Sequence, residues 1–101
     1  MTDDSPSARA VYGIAVAAEM VGVGEQTLRL YERKGLLTPE RTAGGTRRYS
    51  DDDVTVLLRV GELLSAGLNL AGVRHVLALE TSNDELRAQL AHALGVIEQR
   101  A

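Results

Sequence analysis

The residues with chemistry to offer are cationic and amide side chains, and they are concentrated. Arg29, Arg33, Lys34, Arg41, Arg47 and Arg48 fall between Glu25 and Tyr49 against only Glu25, Glu32 and Glu40, a local charge of +3 in a 101-residue chain of net charge −3. The remainder therefore carries −6. A molecule divided in this way presents one face to a polyanion and repels it elsewhere. Gln26, Arg29 and Arg33 are spaced i, i+3, i+7, which is one stripe of a helix. A glutamine can bond the major-groove edge of adenine and an arginine that of guanine, and either can simply hold a phosphate. Thr27, beside the start of that helix, can donate to a phosphate near the positive end of the dipole.

Catalytic chemistry is not expected, because no nucleophile–base pair, paired carboxylates or metal-ligand spacing occurs. Cysteine is absent, and His75 and His92 are the histidines. Disulfides, thiolate metal sensing and redox switching are therefore excluded, and neither a metal nor a cofactor is expected. No apolar run is long enough to cross a bilayer and no signal-peptide pattern is present, so a cytoplasmic protein without a membrane partner is expected.

The elements that must position these residues follow from caps and breakers. Ala15 to about Val21 reads as a short Ala-rich helix, turned by Gly22-Val23-Gly24 into a second helix from Glu25 to Lys34 that stops at Gly35. That is a helix-turn-helix. Pro39 prevents the second helix from resuming, and two strands follow, with Arg41 on the first and Arg47, Arg48 and Tyr49 on the second. Ala43-Gly44-Gly45-Thr46 predicts a two-residue turn with positive φ at both glycines. Alternation puts Arg47 and Tyr49 on one face and Arg48 on the other, so one strand can serve a phosphate and the helical core together. In the second helix Leu28 faces the core, and Tyr31 is either a core ring or a contact.

Ser50 with Asp53 is a capping box for a third helix, whose expected buried face is Val54, Leu57, Leu58, Gly61 and Leu64. Gly67 stops it. Asn69 caps a fourth helix, with Leu68 and Val73 at the staple positions. Ser82-Asn83-Asp84-Glu85 is read as the capping box of a fifth, about Asp84 to Gln99, in which Leu86, Leu90, Ala93 and Ile97 are spaced 4, 3, 4 as in a coiled-coil seam and Leu94 broadens it. So short a helix must pack on something; a second copy is the expected partner, and its own domain the alternative. The expected organisation is a loose tail over 1–10, a winged helix-turn-helix domain over 11–80 and a dimerisation helix over 81–101. The fold class is mainly α, with a short two-strand wing.

The ordered set TLRLYERKGLL, RTAGGTRRYS and GLNLAGVRHVLALE resembles the DNA-binding domain of the MerR superfamily, and most of all its heat-shock repressor, HspR-type branch. The resemblance covers about Val11 to Glu80. It implies a dimeric winged-helix regulator on double-stranded DNA with an inverted-repeat operator, and contacts from Thr27, Arg29, Tyr31, Arg47 and Tyr49. In the heat-shock branch it also implies repression of chaperone genes and an Hsp70-type chaperone as co-repressor. Leu30 stands where many members have a second tyrosine, so that contact is not carried over. The inducer-sensing cysteines of other branches have no counterpart here, and a drug-binding domain is not expected. An excisionase-like or other DNA-bending protein, and an interaction module that binds no DNA, are the alternatives of other classes.

Overall fold

The computed structural model describes the backbone of residues 6–100 and the side chains of residues 6–95. A 3-10 turn at Pro6–Ala8 leads into β1 (Ala10–Tyr12), α1 (Ile14–Val21), α2 (Glu25–Arg33), β2 (Glu40–Arg41), β3 (Arg47–Ser50), α3 (Asp51–Ser65) and α4 (Leu70–Arg100). Residues 6–10, expected within a loose tail, are thus built into the domain, and residues 1–5 lie outside the description. The expected wing is present as β2 and β3, but β1 joins it, giving a three-stranded antiparallel sheet in the order β1-β3-β2. Ala10 pairs with Ser50 and, past a register shift, Tyr12 with Tyr49, so β3 is the central strand. The Tyr12 hydroxyl also donates to Asp51 at 2.7 Å, tying β1 to the first turn of α3.

Local signals set most boundaries. Gly35, at φ 76, lets the chain reverse at the end of α2: its N–H reaches Glu32 O at 3.0 Å and that of Leu36 reaches Tyr31 O at 3.0 Å. This double closure satisfies two terminal carbonyls and packs Leu36 on Tyr31, both buried. Ser50 and Asp53 form the reciprocal capping box at 3.0 and 2.9 Å. Asn69 Oδ1 accepts from Gly72 N–H at 2.8 Å and so caps α4.

The wing turn differs from the expected form. Only Gly45 has positive φ, 85°, and its N–H bonds to Thr42 O at 2.9 Å, while Thr42 N–H bonds to Thr46 O at 2.8 Å. This is a three-residue loop closed by a left-handed glycine, with Gly44 in ordinary backbone space. Thr42 also accepts Thr46 N–H on its side-chain oxygen, at 3.2 Å, which stabilises the longer loop.

The core joins Ala17 and Ala18 of α1, Leu28 and Tyr31 of α2, Tyr49 of β3, Leu57, Val60 and Leu63 of α3 and Val73 of α4. The small side chains of α1 allow α2 and α3 to approach it closely. The inward stripe of α3 is Val54, Leu57, Val60 and Leu63, rotated from the expected face: Leu58 is 49% exposed and Gly61 is exposed. This helix has aliphatic residues on both sides, so spacing alone did not choose between them.

The fifth helix does not exist as a separate element. α4 runs unbroken through Ser82, Asn83, Asp84 and Glu85. No glycine or proline interrupts residues 80–85, and an exposed Ser or Asn inside a helix costs only a fraction of a kcal/mol, roughly 0.5. Continuity spares the chain two further helix ends with their unpaired backbone groups. Val73, with Val76 and Leu77 alongside, packs the start of α4 on the core, and further along Arg59 of α3 bonds Glu80 twice, Nε to Oε1 at 3.1 Å and Nη2 to Oε2 at 2.9 Å. Beyond that point residues 81–94 are exposed throughout.

Tyr49 is fully buried, and its hydroxyl has no hydrogen-bond partner among the described residues. Tyr49→Phe should therefore unfold at the same or a higher urea concentration than the parent, since a buried unpaired hydroxyl costs about 1–3 kcal/mol. Tyr49→Ala should lose about 3–5 kcal/mol in the same measurement.

Candidate nucleic-acid interface

The polar face of α2 is built by default: Leu28 and Tyr31 turn inward, which leaves Gln26, Arg29 and Arg33 outward. Gln26 and Arg33 are exposed, and Arg33 forms no ion pair among the described residues. Arg29 reaches back one turn to Glu25 at 3.4 Å, a long pair in solvent that a stronger acceptor can displace. Thr27 is half-buried at the first turn. Gly24 gives this helix no side-chain cap, so its leading N–H groups remain available to an acceptor.

Both tyrosines are core residues. Tyr31 is 7% exposed, which settles its two readings in favour of the core. Tyr49 is withdrawn as a contact, because a ring with no exposed surface cannot touch a duplex in this conformation. Burial raises the hydroxyl pKa of each. Central strand β3, covered by α1 and α3, leaves that side of Tyr49 no path to solvent.

The wing cations keep the expected alternation, Arg47 on one face of β3 and Arg48 on the other, but Arg41 and Arg47 are committed within the domain. Arg47 and Arg41 are cross-strand partners, and both turn to Glu32 of α2. Arg47 Nε donates to Glu32 Oε2 at 2.6 Å and Arg41 Nη2 to Oε1 at 2.6 Å. Arg41 also spans the wing loop, donating from Nη1 to Gly45 O at 3.1 Å. Neither pairs with Asp51, Asp52 or Asp53. Arg48 points to the opposite face, where its Nη1 lies 3.2 Å from the place a Cβ on Gly13 would occupy, over the start of α1. Among the described residues, Arg33 and Lys34 at the end of α2 and Arg48 on the far side of β3 form no ion pair.

Glu32 lies outside the cationic stripes that the sequence displays. Its signal was its charge, since an acid inside a basic segment, next to a core tyrosine, needs a partner. The donors from Arg47 and, less strongly, Arg41 hold its carboxyl below the ordinary value of 4.5, against partial desolvation, which acts the other way. A carboxyl with a lowered folded pKa contributes stability that is complete above about pH 4.5 and is lost as pH falls through the folded value. Glu32→Gln should therefore be less stable than the parent at pH 7, with the difference narrowing as pH falls below 4.5 and through the folded value. Urea unfolding of both proteins over a series of pH values measures this, and a pH-independent difference would contradict the pairing.

On α4, Leu86 is 64%, Leu90 60% and Leu94 50% exposed, and Ala93 is exposed with them. Packing back onto the domain does not occur over these residues. Ile97, the last member of the expected seam, lies outside the described side chains.

Residues 12–80 match the family profile described as MerR HTH family regulatory protein. The chain is 42% identical over 102 residues to a putative heat shock protein HspR of Streptomyces coelicolor, covering all of this chain and 65% of that one. It is 34% identical over 85 residues to the HTH-type transcriptional regulator GlnR of Bacillus anthracis, covering 84% of this chain and 65% of that one. The chain thus spans just under two thirds of the length of these relatives. Among solved structures, HiNmlR, a MerR family regulator lacking the sensor domain and bound to promoter DNA, superposes with a TM-score of 0.61 at 25% identity, covering 86% of this chain and 82% of that one. The N-terminal part of the Bacillus subtilis multidrug transporter activator, MtaN, gives 0.62 at 26% identity, covering 87% and 92%. With its helix-turn-helix, its wing and a profile match across most of its length, the chain belongs to the MerR family of DNA-binding transcriptional regulators.

Proposed function

We propose that this chain is a dimeric repressor of heat-shock genes that reads an inverted-repeat operator, with α2 in the major groove of each half-site and the wing along the flanking backbone. The observation that carries the reading is the linkage of α2 to the wing: the outward Gln26–Arg29–Arg33 stripe and the hairpin are held as one unit by Glu32. In this reading Gln26, Arg29 and Arg33 address base edges, and Thr27 and Arg48 are assigned to phosphates. Arg41 and Arg47 shape the wing. The heat-shock assignment rests on the likeness to the Streptomyces protein, and an Hsp70-type chaperone is the co-repressor consistent with it.

Two copies are needed to read two half-sites, and α4 supplies the means. Leu86, Leu90 and Leu94 expose apolar surface along a projecting helix, a cost that a second helix removes.

Selection of genomic fragments by the purified protein tests the reading. The expected result is enrichment of an inverted repeat upstream of chaperone genes; enrichment confined to recombination sites would transfer the chain to the DNA-bending class. Arg29→Ala and Arg33→Ala should each cost ~1–3 kcal/mol on the selected operator and much less on scrambled duplex. Leu90→Asp should convert the dimer to a monomer in sedimentation while leaving the helical circular-dichroism signal intact.

A further inference from the structure

Glu32 is on the helix that faces DNA, yet its carboxylate is turned to the wing. Each of its oxygens accepts from a different arginine at 2.6 Å, and the two arginines stand opposite each other on the two strands of the hairpin. Contact with one strand would let the hairpin swing about it. Contact with both fixes its plane against α2. Arg41 adds a third constraint by holding the loop carbonyl of Gly45. Glu32 itself is only 19% exposed at its side chain, so solvent screens these bonds less than those of Arg29 with Glu25, whose side chains are 32% and 45% exposed.

Charge gives the arrangement a second consequence. Affinity for any duplex rises with the number of cations that reach phosphates, whatever the sequence. Two guanidiniums at the wing would raise affinity for operator and random DNA alike. Bound to one carboxylate, Arg41 and Arg47 leave that wing cluster with a single net positive charge. Binding then depends more on whether α2 and the wing meet groove and backbone at the right spacing, and spacing is a property of the site.

We infer that Glu32 is a specificity-determining positioning residue: it fixes the wing against α2 and withholds Arg41 and Arg47 from phosphates, so that the interface favours operator over random DNA. This rests on the DNA-binding reading above. The experiment compares the full chain with Glu32→Gln and with the double variant Arg41→Gln/Arg47→Gln, each titrated on selected operator and scrambled duplex over a range of salt. Thermal melting runs alongside. For Glu32→Gln the expected result is tighter binding to scrambled duplex, with a salt slope steeper by about 1–2, and a ratio of operator to random affinity lowered on the order of tenfold. The double variant frees the wing without adding cations. Its ratio should fall as well, with no gain on scrambled DNA.

A purely scaffolding role would weaken binding to both duplexes in step with the melting temperature. A purely electrostatic role would raise both equally. Either result, seen as an unchanged ratio, overturns the inference. Should Glu32→Gln fail to fold, the double variant decides alone, since a retained operator preference refutes the positioning role and a lost one upholds it. If the parent protein binds neither duplex, the DNA-binding reading itself has failed, an outcome distinct from both.

Discussion

One carboxylate accepting two guanidiniums is the interaction on which the joint surface of α2 and the wing depends. α2 and the hairpin are separated by the Gly35 reversal and a short irregular stretch, and a two-residue β2 paired to a four-residue β3 is a slight structure by itself. Two anchors give it a fixed place. On one side of β3, Tyr49 is sealed in the core beneath α1 and α3; on the same side one pleat away, Arg47 meets Glu32. On the other side Arg48 crosses the start of α1. The strand is therefore held to all three helices around it, and the wing tip extends from a rigid base.

What was legible in the chain was what is local. The Ser50–Asp53 box, the Gly35 stop and the Asn69 cap each involve residues within a few positions of one another, and each stands where the residue types require. The outward Gln26–Arg29–Arg33 stripe was legible too, because Leu28 left α2 no other orientation. Contacts across long separations were not. β1 has only three residues and no turn to announce its pairing with β3, and nothing near Glu32 in sequence names Arg47 as its partner. Ser82-Asn83-Asp84-Glu85 shows the converse error: a capping signal permits a helix to start, but it does not end the helix that precedes it. Tyr49 illustrates a further limit, since alternation located its face correctly without telling how deeply that face is covered.

The unbroken α4 has its own logic. Its first turns are core, through Val73 with Val76 and Leu77 alongside; its middle is bonded to α3 through Arg59 and Glu80; its remainder carries leucines into solvent. The domain and the exposed leucines are thus joined by one continuous helix, not by a linker. In a dimer such a helix would transmit the angle between two copies directly to the spacing of their α2 helices.

The most direct test is a set of residual dipolar couplings for the backbone amides of α2 and of residues 40–50, measured on the DNA-free protein. If Glu32 locks the wing to the reading helix, one alignment tensor fits both elements, and it loses the hairpin in Glu32→Gln. A hairpin in the parent protein that requires its own, smaller tensor would show a wing moving independently of α2 and would contradict the account.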